Sequence, residues 1–493
     1  MQKIYFYITT PLYSVEDSPN IGHAYTTLAA DVLARHKRAR QVPVFFQTGT
    51  EEHGSHVEKR AKDTGMAPRA WADSVSGNFK RLWELLNIKY DHFIRTTDPT
   101  HEKAVRAVFK KLLLSEDIYP GKHEGLFCRS CEIFYAADEL KSGNCPVHGS
   151  PAEKVSGDAY FFRLSKYEKA LLKHYGENPL FLAPQNRARE ILNFVSAGLK
   201  DIPVSSGGDS SWGIKAPSNP AQILYAWFGA LLNYATGPGY DPDTPSDGFD
   251  MKWPADAHLT GKETLRFHAV VWPAMLMALG LELPKKIYAH GWWTVNGEKI
   301  SKSKSNAISP EDIVREYGAD VLRYYIFREV PFGADGDFSL EALKRRYNSE
   351  LANDLGNLFS RVLSMVRKYL ENRLPDKPEN ADLFNDISAR GPEINGKIDA
   401  MRFSEALDDI WHIVGILNKA IDDKKPWELA RSGSEELKPF LYDLVWSLRV
   451  IAGWIYPFMP DTATKMQLGL AVGRTSAEGL ETQKPPTLFP RKE

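Results

Sequence analysis

Cys128-Arg-Ser-Cys131 is followed, after thirteen intervening residues, by Cys145-Pro-Val-His148, and these hold the chain's three cysteines. Two short-spaced pairs that offer three thiolates and an imidazole make the tetrahedral ligand set that zinc prefers in closed sites. With all four positions filled by protein, such an ion has a structural role; an open catalytic position is missing. The predicted cofactor is one structural zinc on Cys128, Cys131, Cys145 and His148.

Two further stretches carry residue types suited to phosphate. In "EDSPNIGHAYTT" (16–27), Asn20, Gly22 and His23 stand where a strand has ended and an amphipathic run begins. The N–H groups and dipole of a helix start attract anions. Gly22 allows close backbone approach, and Asn20 and His23 can donate to phosphate oxygens. Taken alone, the stretch serves equally well as a turn into a helix. "GEKISKSKSN" (297–306) alternates Lys299, Lys302 and Lys304 with Ser301, Ser303 and Ser305. Cations interleaved with hydroxyls suit a clamp on a polyphosphate, although such strings are more often solvated loops. Neither G-x4-G-K-[ST] nor G-x-G-x-x-G occurs, and "GTEEHGSH" (49–56) has no lysine, which removes the main support for a simple NTPase or a dinucleotide enzyme.

These groups need a scaffold. "KIYFYITT" (3–10) and "VPVFFQTG" (42–49) read as buried parallel strands. Between them Ile21, Tyr25, Leu28 and Val32 recur at helical spacing, with Arg35, Lys37, Arg38 and Arg40 gathered toward the C-terminal end. Strand, helix and strand within about 50 residues form a βαβ unit, so the fold class is α/β with a parallel, Rossmann-type sheet. "KKIYAHGWWTV" (285–295) reads as a late strand of that sheet, and "SPEDIVREYG" (309–318) as a helix capped by Ser309. From about residue 340 strand signals nearly vanish. Segments 351–370, 402–423 and 435–459 have helical periodicity, which predicts an all-α bundle. The Thr-, Pro- and Lys-rich tail is expected to be mobile.

At 493 residues the chain is too long for one core. Its 43% hydrophobic and 25% charged residues are ordinary for a soluble protein. The net charge of −1 rules out a polycation, so a nucleic-acid role would need a local basic face. There is no apolar stretch of about 18 residues, no membrane partner is predicted, and the N-terminus lacks the zones of a signal peptide. Clustered, metal-spaced cysteines fit a reducing cytoplasm.

Taken together and in this order, the stretches resemble the methionyl-tRNA synthetases of class I over roughly residues 3–465. "PNIGH" stands where the family has His-Ile-Gly-His, and Lys299-Ile-Ser-Lys-Ser303 where it has Lys-Met-Ser-Lys-Ser. "GTEEHG", "YAWFGALLNY", "GKETLRFHAVVWPAML", "REVPFGADGDFS" and "RYNSELANDLGNLFSR" are similar to further family blocks. The resemblance implies a catalytic domain over 1–115 and 186–320, split by a zinc-bearing connective insertion at 116–185. A linking region at 321–350, an anticodon-binding helical domain at 351–470 and a flexible tail at 471–493 would follow.

The implied function is ATP-dependent ligation of L-methionine to tRNA(Met) through methionyl-adenylate. ATP is the substrate, with magnesium. Lys302 and Lys299, with His23 and Asn20, would be catalytic, and Gly22, Glu263, Ser301 and Ser303 would complete the ATP site. Tyr13, Glu51, Trp227, Tyr234, His268 and Trp272 match the methionine pocket, where aromatic walls suit a thioether. Asn357, Arg361 and Trp427 match anticodon-reading positions. The chain ends soon after the helical domain, without the dimerisation module of some relatives, which implies a monomer. Asn20, Glu51, Ser206, Gly229, Glu263, Lys304 and Ser305 depart from the family pattern. They leave a catalytically altered or non-catalytic tRNA-binding paralogue as the alternative.

Overall fold

Seven short strands pair in parallel: β1 (Phe6–Thr9), β2 (Tyr13–Ser14), β3 (Val44–Glu51), β4 (His92–Arg95), β5 (Leu182–Ala183), β6 (Ala257–Gly261) and β7 (Ile287–His290). Their order is β2-β3-β1-β6-β7-β5, with β4 also paired to β3. β3 is buried along all but its last residue, as expected of a strand covered on both faces. This computed structural model describes residues 2–492 except 129–132, 136–138, 147–148, 208–210, 245, 247, 300–307, 374–377, 379–380 and 472–486, and excludes the side chains of 123, 133, 134 and 299. The chain divides into two units. The first holds Met1–Ala30, Arg40–Glu84 and Ile88–Gly291, and the second holds Asp31–Ala39, Leu85–Asn87 and Trp292–Glu493.

In the first unit the predicted helix after β1 runs over Ile21–Ala39 (α1), contributing Ile21–Ala30 here. One hydrophobic cluster joins Tyr7 and Phe45 of the sheet to Phe109, Phe162, Trp272 and Leu276. The predicted insertion is antiparallel. Ile118–Cys128 pairs with Ile133–Tyr135 and with Glu153–Phe162, which in turn pairs with Ile202–Pro203. It does not close at 185. Antiparallel pairing continues to Leu224, while β5, inside the predicted boundary, belongs to the parallel sheet.

The second unit is mainly helical, as predicted, with helices over Ala319–Glu329, Asn357–Leu370, Phe403–Lys424 and Leu437–Ile455. Three details differ from the sequence reading. The predicted strand 285–295 breaks after His290, and Trp293–Val295 pairs instead with Glu298–Lys299 and Gly336–Asp337. The predicted helix 351–370 opens as a wide π-helix, Tyr347–Gly356. The tail expected to be mobile is docked over its last described residues: Leu488 and Phe489 are buried, and the Tyr347 hydroxyl donates to Pro490 O at 2.6 Å. The Leu-Phe pair supplies the apolar anchor that the surrounding Pro and Lys conceal. Ser309 caps its helix as predicted, accepting from Asp312 N–H at 3.1 Å. Among the described residues no helix is long and apolar enough to cross a membrane.

A fully buried ion cluster ties this unit together. Asp31 Oδ2 lies 2.7 Å from Arg323 Nη2 and 2.7 Å from Arg35 Nε. Arg323 also donates to the carbonyls of Phe458 (2.8 Å) and Pro457 (2.7 Å). Removing the shared carboxylate takes the counter-charge from two buried guanidinium groups. Asp31→Ala is therefore expected to lower the unfolding free energy of this unit by about 3–5 kcal/mol, as for other broken buried pairs. Denaturant titration checks this, and a loss below about 1 kcal/mol, typical of an exposed pair, would contradict it.

Candidate active site

The sheet reverses its direction of winding between β1 and β6, and ligands bind such α/β sheets at the carboxyl ends of the strands beside that reversal. Thr9 and His258 are register partners there. His258 Nε2 accepts from the Trp272 indole N–H at 3.2 Å. Its proton is therefore on Nδ1, which donates to Thr9 Oγ1 at 2.7 Å. Burial holds His258 neutral, well below the usual histidine range.

Tyr234 lies over this pair, its ring 4.3 Å from His258 and 5.7 Å from Trp272. The Tyr234 hydroxyl meets His268 Nε2 at 2.6 Å. Since His268 Nδ1 faces Thr264 O, a pure acceptor, at 2.9 Å, the proton is on Nδ1 and Tyr234 donates. Burial lowers His268 to about 4. His268 belongs to a single π-turn, Phe267–Val271, and Trp227 packs on Phe267 of that turn at 5.5 Å. Tyr234, His268 and Trp272 thus form one aromatic cluster, which Trp227 joins through Phe267. Tyr13, at the end of the sheet on β2, is close enough to raise the Tyr234 phenol further above the value set by burial, and burial pushes Tyr13 itself up to about 12. Glu51 ends β3 as the register partner of Ser14.

Glu263 is exposed and folds back on Gly261, where a Cβ would lie 2.3 Å from its Oε1. The Glu263 carboxylate is near enough to Tyr13, His268 and His290 for its charge to act on each of them. Gly229 is not a steric necessity, since a Cβ there would make ordinary contacts with Ile214 and His101.

The start of α1 corrects the sequence reading. The N–H groups of Gly22 and His23, expected to meet phosphate, donate instead to Asn20 Oδ1 at 2.9 and 3.2 Å. Asn20 N–H in turn donates to His23 Nδ1 at 3.2 Å. This is a reciprocal cap with histidine in the usual glutamate position. A Cβ at Gly22 would lie 3.2 Å from Asn20 Oδ1, so the glycine makes room for the cap itself. With Nδ1 accepting, neutral His23 carries its proton on Nε2. The side-chain donors at this helix start are His23 Nε2–H and the Asn20 amide.

Sequence reasoning missed Thr9, His258 and Thr26, whose hydroxyl is 2.6 Å from His290 Nε2 at the end of β7. Their signal was weak: polar residues closing apolar runs that read as strands. Lys302, Ser301, Ser303, Lys304 and Ser305, with the Lys299 side chain, lie outside the described residues. Cys131 and His148 do too. Cys128 and Cys145 are both buried: Cys128 Sγ is 3.7 Å from Ser150 Oγ, while Cys145 N–H donates to Ser150 O at 2.8 Å and its Sγ lies 3.5 Å from the Tyr135 hydroxyl. Both are thiols, the donor type that zinc takes, and make up two of the four predicted ligands.

In the second unit Ser360, Arg361, Ser364, Met365 and Trp427 line a cavity of about 340 Å³. Arg361 pairs with Asp422 at 2.8 Å, and Trp427 is 41% exposed, unusual for so large an apolar ring. The structure brings Arg361 and Trp427 together; Asn357, also exposed, is not part of the lining.

A doubly wound parallel sheet with a capped helix start and an aromatic pocket at its reversal, followed in sequence by a helical bundle, is the architecture of a class I aminoacyl-tRNA synthetase. Residues 6–158 and 138–363 match the family described as tRNA synthetases class I (M), and the chain belongs to that family. It is 47% identical to the methionine–tRNA ligase of Caldanaerobacter subterraneus subsp. tengcongensis, over 99% of this chain and 78% of that protein. The methionine–tRNA ligase of Thermotoga maritima is 44% identical over 94% of this chain and 74% of its own length. Mycobacterium tuberculosis methionyl-tRNA synthetase, solved with methionyl-adenylate, superposes with a TM-score of 0.92 at 39% identity, covering 100% of both chains.

The buried histidines set a pH dependence. His258, His268 and His290 are all lowered, chiefly by burial. As pH falls from about 6.5 the unfolded chain takes up protons that the native pocket refuses, so stability is full above that pH and falls toward pH 4. The thermal midpoint is expected to drop steadily over this window, and less in His268→Gln than in the parent. Equal slopes in the two proteins would contradict the assignment.

Proposed function

We infer that this chain activates L-methionine with ATP and ligates it to tRNA(Met). The supporting observation is the superposition along the whole chain on a synthetase that holds methionyl-adenylate. In the first step a methionine carboxylate oxygen attacks the α-phosphorus of ATP, and the bond to pyrophosphate breaks. In the second, a hydroxyl of the terminal adenosine of tRNA attacks the adenylate carbonyl and AMP leaves. Both steps depend on positioning and on stabilising charge as it develops.

The thioether side chain enters the pocket of Tyr13, Trp227, Tyr234, His268 and Trp272, where ring edges favour sulfur. The Glu51 carboxylate receives the substrate ammonium through a charge-assisted bond. His23 Nε2 and Asn20 Nδ2 donate to phosphate oxygens, and Glu263 binds near the ribose. Lys302, with Lys299, Ser301 and Ser303, holds the triphosphate as charge builds on it, and magnesium arrives with the nucleotide as part of the substrate. In the helical unit Trp427 stacks on an unpaired anticodon base, while Arg361 and Asn357 read base edges. Cys128, Cys131, Cys145 and His148 hold zinc, which when bound cross-links the insertion. The enzyme acts as a cytoplasmic monomer.

Pyrophosphate exchange into ATP, run with each of the twenty amino acids, tests the proposal. Exchange is expected with methionine, and Lys302→Ala should slow it by at least about 10²-fold, the scale of a lost transition-state charge contact. No exchange at saturating methionine by a folded protein would overturn the proposal.

A further inference from the structure

We propose that Phe79 is a positioning residue that fixes the methionine side and the phosphate side of the site relative to each other. This rests on the reading of Tyr13 and His23 as substrate-facing groups. Phe79 lies on the helix Pro68–Leu85 (α2) and is fully buried. Its ring is parallel to that of Tyr13, with centroids 5.5 Å apart and planes 2° apart. The His23 imidazole leans across both, 5.3 Å from Phe79 and 5.0 Å from Tyr13, tilted 53° to each. The three rings close a triangle, and a shift in one moves the other two.

The remaining degrees of freedom are pinned by polar groups. The Tyr13 hydroxyl donates to Thr27 Oγ1 at 2.7 Å, and Thr27 Oγ1 donates to His23 O at 2.9 Å. Asn20 N–H holds His23 Nδ1. Hydrogen bonds thus fix the edges of Tyr13 and His23, whereas the planes of their rings are set by Phe79. Trp83, one turn along α2 and also fully buried, meets Phe79 and Tyr13 edge-on, each at 5.8 Å, and backs the arrangement from behind. Phe79 has no polar atom and no part in the chemistry. It acts through Tyr13, which faces the amino acid, and through His23, which faces the phosphate.

Each substrate alone should tolerate a small tilt of its own partner, whereas their joint geometry should not, because a displacement of about 1 Å between reacting groups can cost 10²-fold in rate. Phe79→Leu and Phe79→Met, which keep an apolar side chain but remove the ring plane, are therefore expected to lower kcat of methionine-dependent pyrophosphate exchange by about 10- to 100-fold. Methionine alone and ATP alone should still bind within about threefold of the parent affinity, and Phe79→Tyr, which restores the ring, should recover kcat to within about threefold, small beside that loss. Unchanged kcat in the leucine and methionine variants would overturn the proposal while leaving the activity standing. Weakened binding of methionine by itself, or failure of both variants to fold, would also overturn it, because either outcome makes Phe79 a wall or core residue. Absence of exchange in the parent protein would instead refute the function on which the proposal rests.

Discussion

The reversal of the sheet between β1 and β6 is the constraint from which the site follows. Parallel strands point their carboxyl ends the same way, and at the reversal the connecting segments leave in opposite directions, opening a crevice. A neutral histidine bridges that crevice floor. His258 accepts from Trp272 and donates to Thr9, so one buried side chain locks the two central strands and the first wall of the pocket. Leaving any of these three polar groups unmatched in so dry an interior would cost more than the bond itself gains.

The rest of the pocket repeats this logic. Tyr234 and His268 satisfy each other, and the backbone carbonyl of Thr264 chooses the tautomer. The π-turn Phe267–Val271 holds both His268 and the Phe267 ring on which Trp227 packs; such turns often mark functional positions. At the start of α1 the Asn20–His23 cap gives a physical account of an asparagine where the resemblance implies a histidine. The residue closes the helix with its oxygen and retains an amide donor, so this departure from the family pattern also orders His23.

Much of this was legible in the sequence. The apolar runs at 3–10 and 42–49 and the helical spacing from Ile21 placed the βαβ core, and loss of strand signals after about residue 340 placed the bundle. The aromatic residues of this cluster were singled out through the family blocks, since composition alone cannot separate a binding wall from core. What was hidden has physical causes. Periodicity cannot distinguish an α- from a π-turn, so the segment from Leu351 reads as ordinary helix. The run 285–295 looked continuous because Trp292 and Trp293 are as apolar as the strand before them, although the pairing partner changes after His290. The cap was in principle readable, since asparagine is among the best N-cap residues. Reading Asn20 as a phosphate donor obscured it.

The most direct test of the central claim is a crystal structure with a non-hydrolysable methionyl-adenylate analogue. The thioether is expected among Tyr13, Tyr234, His268 and Trp272 at the carboxyl ends of β1 and β6, with the phosphate within hydrogen-bonding reach of His23 Nε2. An analogue bound with its phosphate away from the start of α1, or with its side chain outside that aromatic pocket, would contradict the account.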